Sequence, residues 1–370
     1  MFRLAVANLL QNKTRIVISV GGVGLALTLV LFFGAVFTGA EGRLTVYIDY
    51  AGADVWVSQE GVRTMHMSES ALPASVVDRA KAVPGVEQAV PVLYTEGMIE
   101  ANGRDNIVYI FGVPSEAPMG GPWRIVDGAS APGPGEIIID HAIASRAGVG
   151  VGDQVTVIGQ QMRIAGLTSG TSTLASSVSF VRFEDFARVR GGGDVVSFVL
   201  VKVSPGESPA AVSSRIAERV DGVTVQTREQ FAAQERQLVK DMSAELISIM
   251  NTAGYLTGLA IVVLTIYIAT VARRKEYGVL KAMGVRNTRL FQIVLVQALL
   301  MVGMGLVTGL AITLLLSALI PRFNELIVLS ISTASLLRVT VISTLLASAA
   351  SLLPARQLAV LEPAAIMRRG

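Results

Sequence analysis

The chain contains no cysteine, only two histidines and few charged residues, and each shortage excludes a class of function. Without cysteine there is no disulfide, no thiol nucleophile and no cysteine-ligated metal. No segment matches G-x-x-x-x-G-K-[ST], so the chain has no phosphate-binding loop for ATP. No nucleophile–base pattern is present either. We therefore expect no catalytic residue, no cofactor site and no metal site.

The two histidines have ordinary interpretations. His141 follows Asp140 at a predicted strand–helix junction, which is typical of the start of a helix. His66 lies in Met65-His66-Met67, inside a polar segment that we expect to be an exposed loop. The alternative for this triplet is a set of ligands for a metal or haem.

The chain is unusually rich in apolar residues. Hydrophobic residues make up 52% and the mean hydropathy is +0.58, too high for an ordinary soluble chain of 370 residues. A bilayer core of about 30 Å requires about 20 apolar residues in a helix. Four segments meet this length: 16–38, 246–271, 291–317 and 333–353. The first is too long for a typical signal peptide and predicts an uncleaved anchor, with a signal peptide as the alternative.

Charge predicts the orientation of these spans, because short cytoplasmic segments are rich in Lys and Arg. Residues 1–15 contain three basic and no acidic side chains, and residues 272–290 contain six basic and one acidic. The segment 40–240, in contrast, has 17 basic and 23 acidic side chains. Both termini are therefore expected in the cytoplasm and the large domain outside. The pI of 9.3 then follows from topology and does not indicate nucleic-acid binding.

The large polar segment predicts a mixed α/β domain. Alternating apolar residues indicate strands at 53–58, 86–93 and 97–101, and Asn102-Gly103 is typical of a hairpin turn. The pattern of the first block returns late in the segment, so we expect two subdomains, the second inserted into the first. A helical stripe from about 228 to 250 predicts a stiff stalk that continues into the second span.

Several separated motifs show one family resemblance. After the second span the chain reads RRKEYGVLKAMG, its opening reads LAVANLLQNKTRIVISVGGVGLAL, and its end reads PARQLAVLEPAAIMRR. Within the polar domain it reads GEIIIDHAIASRAGVGVGDQVTV. Together these motifs resemble the FtsX/MacB-like permeases of ABC transporters, the type VII superfamily. The segments DVWVS, FGVP and KAMGVRN are similar to the DevC and HrtB branch, whose HrtB members are haem exporters.

This resemblance implies a fold class and a set of partners. The fold would be a membrane α-helical protein with four transmembrane helices, arranged one plus three, and a large extracytoplasmic α/β domain of two subdomains. The chain would be a non-enzymatic permease in a bacterial cytoplasmic membrane. It would dimerise with itself or a paralogue and recruit two separate ATPase subunits, which bind ATP and Mg. A periplasmic adaptor is left open, and nucleic acid is not expected.

The same resemblance implies that the short basic loop is a coupling helix seated in a cleft of each ATPase. The residues expected to make this contact are Arg274, Lys275, Glu276, Tyr277, Gly278, Lys281 and Gly284.

Polar and small residues within the spans suggest further sites. Gly305-x-x-x-Gly309 permits close helix approach, either at a dimer seam or inside one protomer. Arg338 is costly in a bilayer and is expected to snorkel to the outer surface or to pair with Glu245. The alternative is a substrate route or outer interface that includes Met242, Glu245, Met250 and Arg338.

The resemblance leaves three functions open. The main expectation is export or extrusion of an amphipathic or hydrophobic substrate by mechanotransmission. The alternatives are an FtsX-like signalling scaffold that regulates a cell-wall hydrolase, and a haem exporter. The predicted segments in chain order are an amphipathic lead-in helix (1–15), a first span (16–38), the extracytoplasmic domain (39–245), a second span (246–271), the coupling loop (272–290), a third span (291–317), an outer loop (318–332), a fourth span (333–353) and a cytoplasmic tail (354–370).

Overall fold

The computed structural model describes residues 13–66, 68–172, 176–272, 274–323 and 329–360. The predicted lead-in helix lies mostly outside these residues, as do residues 361–370. Clustering of contacts divides the chain into two compact units. One is helical and includes residues before Ala40 and after Met242; the other consists mainly of Ala40–Met242 and is an α/β domain.

The described residues form ten helices and twelve strands. The helices are α1 (Lys13–Leu44), α2 (Val46–Tyr50), α3 (Ser75–Lys81), α4 (His141–Ala147), α5 (Phe183–Val189), α6 (Pro209–Arg219), α7 (Arg228–Ala272), α8 (Arg274–Ala282), α9 (Asn287–Phe323) and α10 (Thr333–Val360). The strands are β1 (Val55–Gln59), β2 (Leu72–Pro73), β3 (Val86–Ala101), β4 (Arg104–Val113), β5 (Ile125–Gly128), β6 (Glu136–Asp140), β7 (Gln154–Val157), β8 (Gln160–Thr168), β9 (Ser177–Arg182), β10 (Val195–Val196), β11 (Phe198–Val203) and β12 (Val223–Thr227).

Four of these helices are long and apolar enough to cross a membrane. The membrane-compatible parts are Ile16–Leu44, Ala244–Ala272, Asn287–Phe323 and Thr333–Leu352. At 1.5 Å per residue each spans about 30 Å or more of hydrocarbon. The prediction of one span, a large domain and three further spans is confirmed.

The ends of three helices differ from the sequence-based segments. α9 begins at Asn287, inside the predicted coupling loop, and ends at Phe323, inside the predicted outer loop. α1 continues beyond residue 38 to Leu44, and α10 continues through Pro354 to Val360. A proline removes one helical hydrogen bond but does not always end a helix. Residues 354–360 are therefore helical, although the sequence predicted a separate tail from residue 354.

Small residues bring α1 and α9 together inside the helical unit. A Cβ added to Gly305 would lie 2.6 Å from Cγ1 of Val23, and one added to Gly309 would lie 3.0 Å from the carbonyl oxygen of Gly24. The approach at Gly305 is closer than a side-chain carbon allows, and the one at Gly309 is tight, so glycine lets the two helices pack closely here. Within this chain the glycine pair packs against α1, and a dimer seam at the same residues stays a prediction.

The α/β domain is built on one ten-stranded sheet. Its strands follow the order β12-β1-β11-β3-β4-β9-β6-β8-β5, and β7 pairs with both β3 and β8. Most neighbours are antiparallel; β4 with β9 and β6 with β8 are parallel. β1 pairs with β11 and β12, which come late in the chain, so β4 to β9 are inserted between the strands of the first subdomain.

β3 joins the two subdomains. The sequence predicted two strands here, but the structure has one strand of 16 residues. It continues through Gly97, where an added Cβ would lie 2.9 Å from Cδ1 of Ile110 across the ladder. A strand glycine at such a close approach does not end the strand.

Aromatic side chains fill the centre of the domain. The rings of Tyr47 and Phe111 are stacked with centroids 3.5 Å apart, and those of Trp56 and Phe231 are stacked at 4.9 Å. Phe231 belongs to α7 and is fully buried. Burial also raises the pKa of the Tyr47 hydroxyl well above its usual value of 10.0.

Candidate functional site

α8 is a short helix between the membrane-compatible parts of α7 and α9. Its inner face is anchored in the apolar core of the helical unit. Tyr277 is buried there together with Val262, Ile266 and Val294, and Leu280 packs against the same cluster. An amphipathic helix gains most of its stability from burying one face, so this anchoring holds α8 on the helical unit.

The opposite face of α8 is exposed and partly apolar. Val279 is 55% exposed and Met283 is 68% exposed. Glu276 is exposed on the same side, because residues three, four and seven positions apart share a helix face. Large apolar side chains beside a charged one are typical of a protein-binding surface.

A glycine ends this helix. Gly284 has φ +88°, a left-handed conformation that favours glycine. Its N–H donates to the carbonyl of Lys281 at 3.0 Å, and the N–H of Val285 donates to that of Leu280 at 3.1 Å. This pair of hydrogen bonds is a Schellman motif, which satisfies carbonyls that the helix end would leave unpaired.

The turn after α8 adds positive charge. Arg286 and Arg289 are exposed at the start of α9. The side chains of Arg274 and Lys275 lie outside the described part of the structure. The exposed surface thus has apolar residues with basic residues on one side. Such a surface is complementary to a partner surface that carries acidic residues, alone or together with apolar ones.

The predicted loop residues have two different roles in this arrangement. Glu276 faces solvent, whereas Tyr277 and Gly278 are buried and Lys281 is half-buried. Gly284 is exposed and ends the helix. We did not single out Val279 and Met283 in the sequence, although their spacing of four residues places them on one helix face.

The second set of predicted residues does not form a compact site. Glu245 and Arg338 are both exposed and form no ion pair with each other in the described structure. Met250 is half-buried, and the side chain of Met242 lies outside the described residues. Of the alternatives for Arg338, the pair with Glu245 is absent.

The described residues of the helical unit include a narrow cleft in its core and an open groove on its surface. The cleft is lined by residues that include Val23, Tyr255 and Ser343, and its volume of about 20 Å³ accommodates roughly one water molecule. The groove, about 720 Å³, lies on α1 and α9 and is lined almost entirely by apolar side chains such as Leu299 and Val307.

His66 has a different environment from the exposed loop that the sequence predicted. Its Nδ1 lies 2.8 Å from Oε2 of Glu235 on α7, and its side chain is only 10% exposed. The ring of Tyr109 packs edge-on at 4.5 Å between centroids. The apolar Met65 beside it is buried, which draws the segment into the core. Within the described ranges, no three His, Cys, Asp or Glu side chains are grouped as metal ligands.

Comparisons with known proteins agree with this architecture. The family description "MacB-like periplasmic core domain" matches residues 16–219, and "FtsX-like permease C-terminal" matches residues 248–363. An ABC transporter permease of Mycobacterium tuberculosis is 22% identical over 366 residues, covering 98% of both chains. A second permease of that species is 23% identical over 326 residues, covering 87% of each.

The α/β domain is also similar to a solved structure. The periplasmic region of MacB from Actinobacillus actinomycetemcomitans aligns with a TM-score of 0.40 and 11% identity, covering 52% of this chain and 97% of that one. The two family matches together cover most of the chain, and the second of them includes the second span. The chain therefore belongs to the MacB/FtsX family of ABC transporter permeases, as a multi-pass membrane subunit.

Proposed function

We propose that this permease couples ATP hydrolysis by two separate ATPase subunits to export or extrusion of an amphipathic or hydrophobic substrate. ATP and Mg are bound by the ATPases, and the permease acts as a dimer, with itself or a paralogue. Motion, rather than passage of substrate through a membrane pore, is the output. Both termini and α8 are on the cytoplasmic side and the α/β domain is outside, in the arrangement that the distribution of Lys and Arg favours.

The observation on which this proposal depends is the two-faced structure of α8. Tyr277 and Leu280 fix one face to the core of the helical unit, while Val279 and Met283 are left exposed on the other. A docking helix of this kind transmits force because it cannot be displaced without moving the core residues packed against it. A solvated loop that only supplied the excess of Lys and Arg typical of short cytoplasmic segments would need neither the buried face nor the exposed apolar face.

The length of α7 supports the mechanical part of the proposal. This helix runs for 45 residues from Arg228 to Ala272 and contains both the predicted stalk and the second span. Because one helix contains both segments, α7 is the element that we expect to convey motion from the ATPases to the α/β domain.

The test is ATP hydrolysis by the complex of this permease with its ATPase in lipid nanodiscs. Val279→Asp and Met283→Asp place a charge in the proposed contact, and each is expected to reduce copurification of the ATPase and its stimulated turnover by about tenfold or more. Val126→Asp is the matched control, since Val126 in the α/β domain is also 55% exposed.

Glu276→Ala and Gly284→Trp extend the test to the residues that the family resemblance indicates. Loss of binding in the α8 variants, with Val126→Asp unchanged, supports the coupling role. Equal binding and turnover in all variants would contradict it and would favour a scaffold that works without ATPase contact at α8.

A further inference from the structure

The α/β domain has a partly open cavity of about 250 Å³ that has no part in the coupling proposal. It lies between the loop after β4 and the segment that follows α2. Its lining residues are Tyr50, Ala51, Gly52, Val113, Pro114, Ser115, Ala117, Pro118, Met119, Gly120, Gly121, Pro122, Trp123, Ser130, Ala131, Pro132, Phe180 and Val181. None of these side chains is charged, so the cavity suits an uncharged molecular body.

Aromatic rings form one wall of this cavity. Tyr50 and Trp123 are stacked, with centroids 5.4 Å apart and planes inclined by 8°. Phe180 meets Trp123 edge-on at 5.6 Å. Tyr50 is still 46% exposed, so the stack is open to an incoming molecule. Stacked rings of this kind offer flat apolar area that is already ordered before binding.

The positively charged side chain of Arg124 lies at the edge of the aromatic wall. The guanidinium of Arg124 lies 5.1 Å from the ring centroid of Tyr50, and its Nη2 donates a hydrogen bond to the Tyr50 hydroxyl at 2.8 Å. Arg124 is exposed and forms no ion pair with any described carboxylate. A guanidinium held in place by an aromatic ring is well suited to bind a carboxylate or phosphate.

The backbone at Arg124 is strained. Its φ is +50°, in the left-handed region that residues with a side chain rarely adopt. The carbonyl of Arg124 accepts a hydrogen bond from the N–H of Ser169 at 3.1 Å, which holds this conformation. Strain of this type persists where the surrounding structure imposes it and is concentrated at ligand-binding positions.

From these features we propose that the cavity binds a small ligand with an aromatic or short aliphatic body and one anionic head group. The body lies against Tyr50 and Trp123, and the head group pairs with Arg124. The volume is slightly below the range of about 300–1,000 Å³ for drug-sized ligands, so the ligand is smaller than a drug. This site goes beyond the proposed function and does not depend on it.

The test uses tryptophan fluorescence of the full chain in nanodiscs, with phenylbutyrate as the anionic probe and phenylbutanamide as its neutral counterpart. The chain has two tryptophans, and Trp56 is fully buried in the core, so a change in emission reports on Trp123. Empty nanodiscs correct for probe that enters the lipid. We expect saturable binding of phenylbutyrate, with phenylbutanamide about tenfold weaker.

Three variants locate the site. Arg124→Gln is expected to remove the preference for the anion, and Trp123→Phe to remove the signal. Gly121→Leu fills the cavity, because a Cβ at Gly121 meets no atom within 4 Å, and it should abolish binding of both probes. Gly193→Leu is the matched control, since it also adds a side chain in open space but lies outside the lining.

Non-saturable titration, equal affinity for the acid and the amide, or binding that survives both Arg124→Gln and Gly121→Leu would each overturn the proposal. Because Arg124 is exposed, its variant keeps the test valid even if Gly121→Leu fails to fold. ATPase stimulation by the same variants should equal that of wild type, which separates this site from the coupling helix.

Discussion

Nδ1 of His66 lies 2.8 Å from Oε2 of Glu235, a carboxylate with no exposed surface. Oε1 of the same side chain accepts hydrogen bonds from the backbone N–H groups of Met65 and His66. One buried carboxylate thus fixes the loop after β1 to the early turns of α7, within the α/β domain. It also explains why a segment that looks like an exposed loop in the sequence is held in the core.

Removal of this carboxylate should destabilise the α/β domain strongly. Glu235→Ala removes the acceptor of the backbone N–H groups of Met65 and His66 and the partner of the His66 ring, and each buried donor left unpaired costs about 1–3 kcal/mol. Glu235→Gln should lower the free energy of unfolding by less, because the amide oxygen can still accept hydrogen bonds from the two backbone N–H groups. The measurement is urea unfolding followed by emission of Trp56. Gln237→Ala, at an exposed position of the same helix, should stay within about 0.5 kcal/mol of wild type. An unchanged midpoint in Glu235→Ala would contradict the structural role.

Alkaline pH should destabilise the same domain. Burial raises the pKa of the Tyr94 hydroxyl far above 10, and the nearby Tyr109 and Glu96 raise it further. Burial likewise raises the pKa of Tyr109. In both cases the folded state keeps a proton that the unfolded state loses near pH 10. Each tyrosine therefore makes its full contribution to the free energy of unfolding below pH 10. This contribution is lost as the pH rises above 10 toward the pKa that the hydroxyl has in the folded protein.

The expected slope is a loss of about 1.4 kcal/mol per pH unit above pH 10 for each such tyrosine. Unfolding free energies measured in urea between neutral pH and pH 11 provide the check. Tyr94→Phe should make the decline shallower because one titrating group is gone. A pH profile that is the same in wild type and Tyr94→Phe would show that this hydroxyl ionises as freely in the folded protein as in the unfolded one.

The sequence was sufficient for features that depend on local patterns. Runs of about 20 apolar residues predict the four membrane-compatible helices, and the late return of strand patterns predicts the inserted subdomain. The position of α8 also follows from its amphipathic spacing. These features depend on periodicity and composition, which are local properties of a chain.

Features that depend on distant partners could not be predicted. His66 is held in the core because it pairs with Glu235, which lies far along the chain. No local sequence pattern indicates that pair. The contact between Gly305 and Val23 likewise joins the first and third spans. The role of Gly284 could be predicted only in part. A glycine after a short helix suggests a helix end, but the sequence does not separate this role from a contact with a partner. The φ of +88° in the structure does so.

The close approach of α1 and α9 should make Gly305 intolerant of even a methyl group. Gly305→Ala would place Cβ 2.6 Å from Cγ1 of Val23, so the helices must separate, at a cost of about 1–3 kcal/mol. Gly303→Ala, two residues away, meets no atom within 4 Å and serves as the control. Thermal unfolding in detergent should show a lower midpoint for Gly305→Ala only, with partial recovery in the double variant with Val23→Ala.

Dimer crosslinking of the same variants distinguishes the two interpretations of this glycine pair. Packing within one chain predicts that Gly305→Ala lowers the unfolding midpoint while the crosslinked fraction of the remaining folded protein is unchanged. A normal midpoint with loss of crosslinking would return the pair to a dimer seam.

Gly284 allows a direct test of whether α8 must end where it does. At φ +88° a residue with a side chain costs about 1–2 kcal/mol, and a β-branched residue costs more than asparagine, which adopts this region readily. Gly284→Val should therefore disturb the end of α8 and reduce ATPase stimulation, whereas Gly284→Asn should retain most of it. Ala282→Val introduces the same side chain at an exposed helical position and should have little effect. If Gly284→Asn is as damaging as Gly284→Val, the backbone conformation is not the limiting factor. The glycine would then be needed because the ATPase surface approaches it too closely for any side chain.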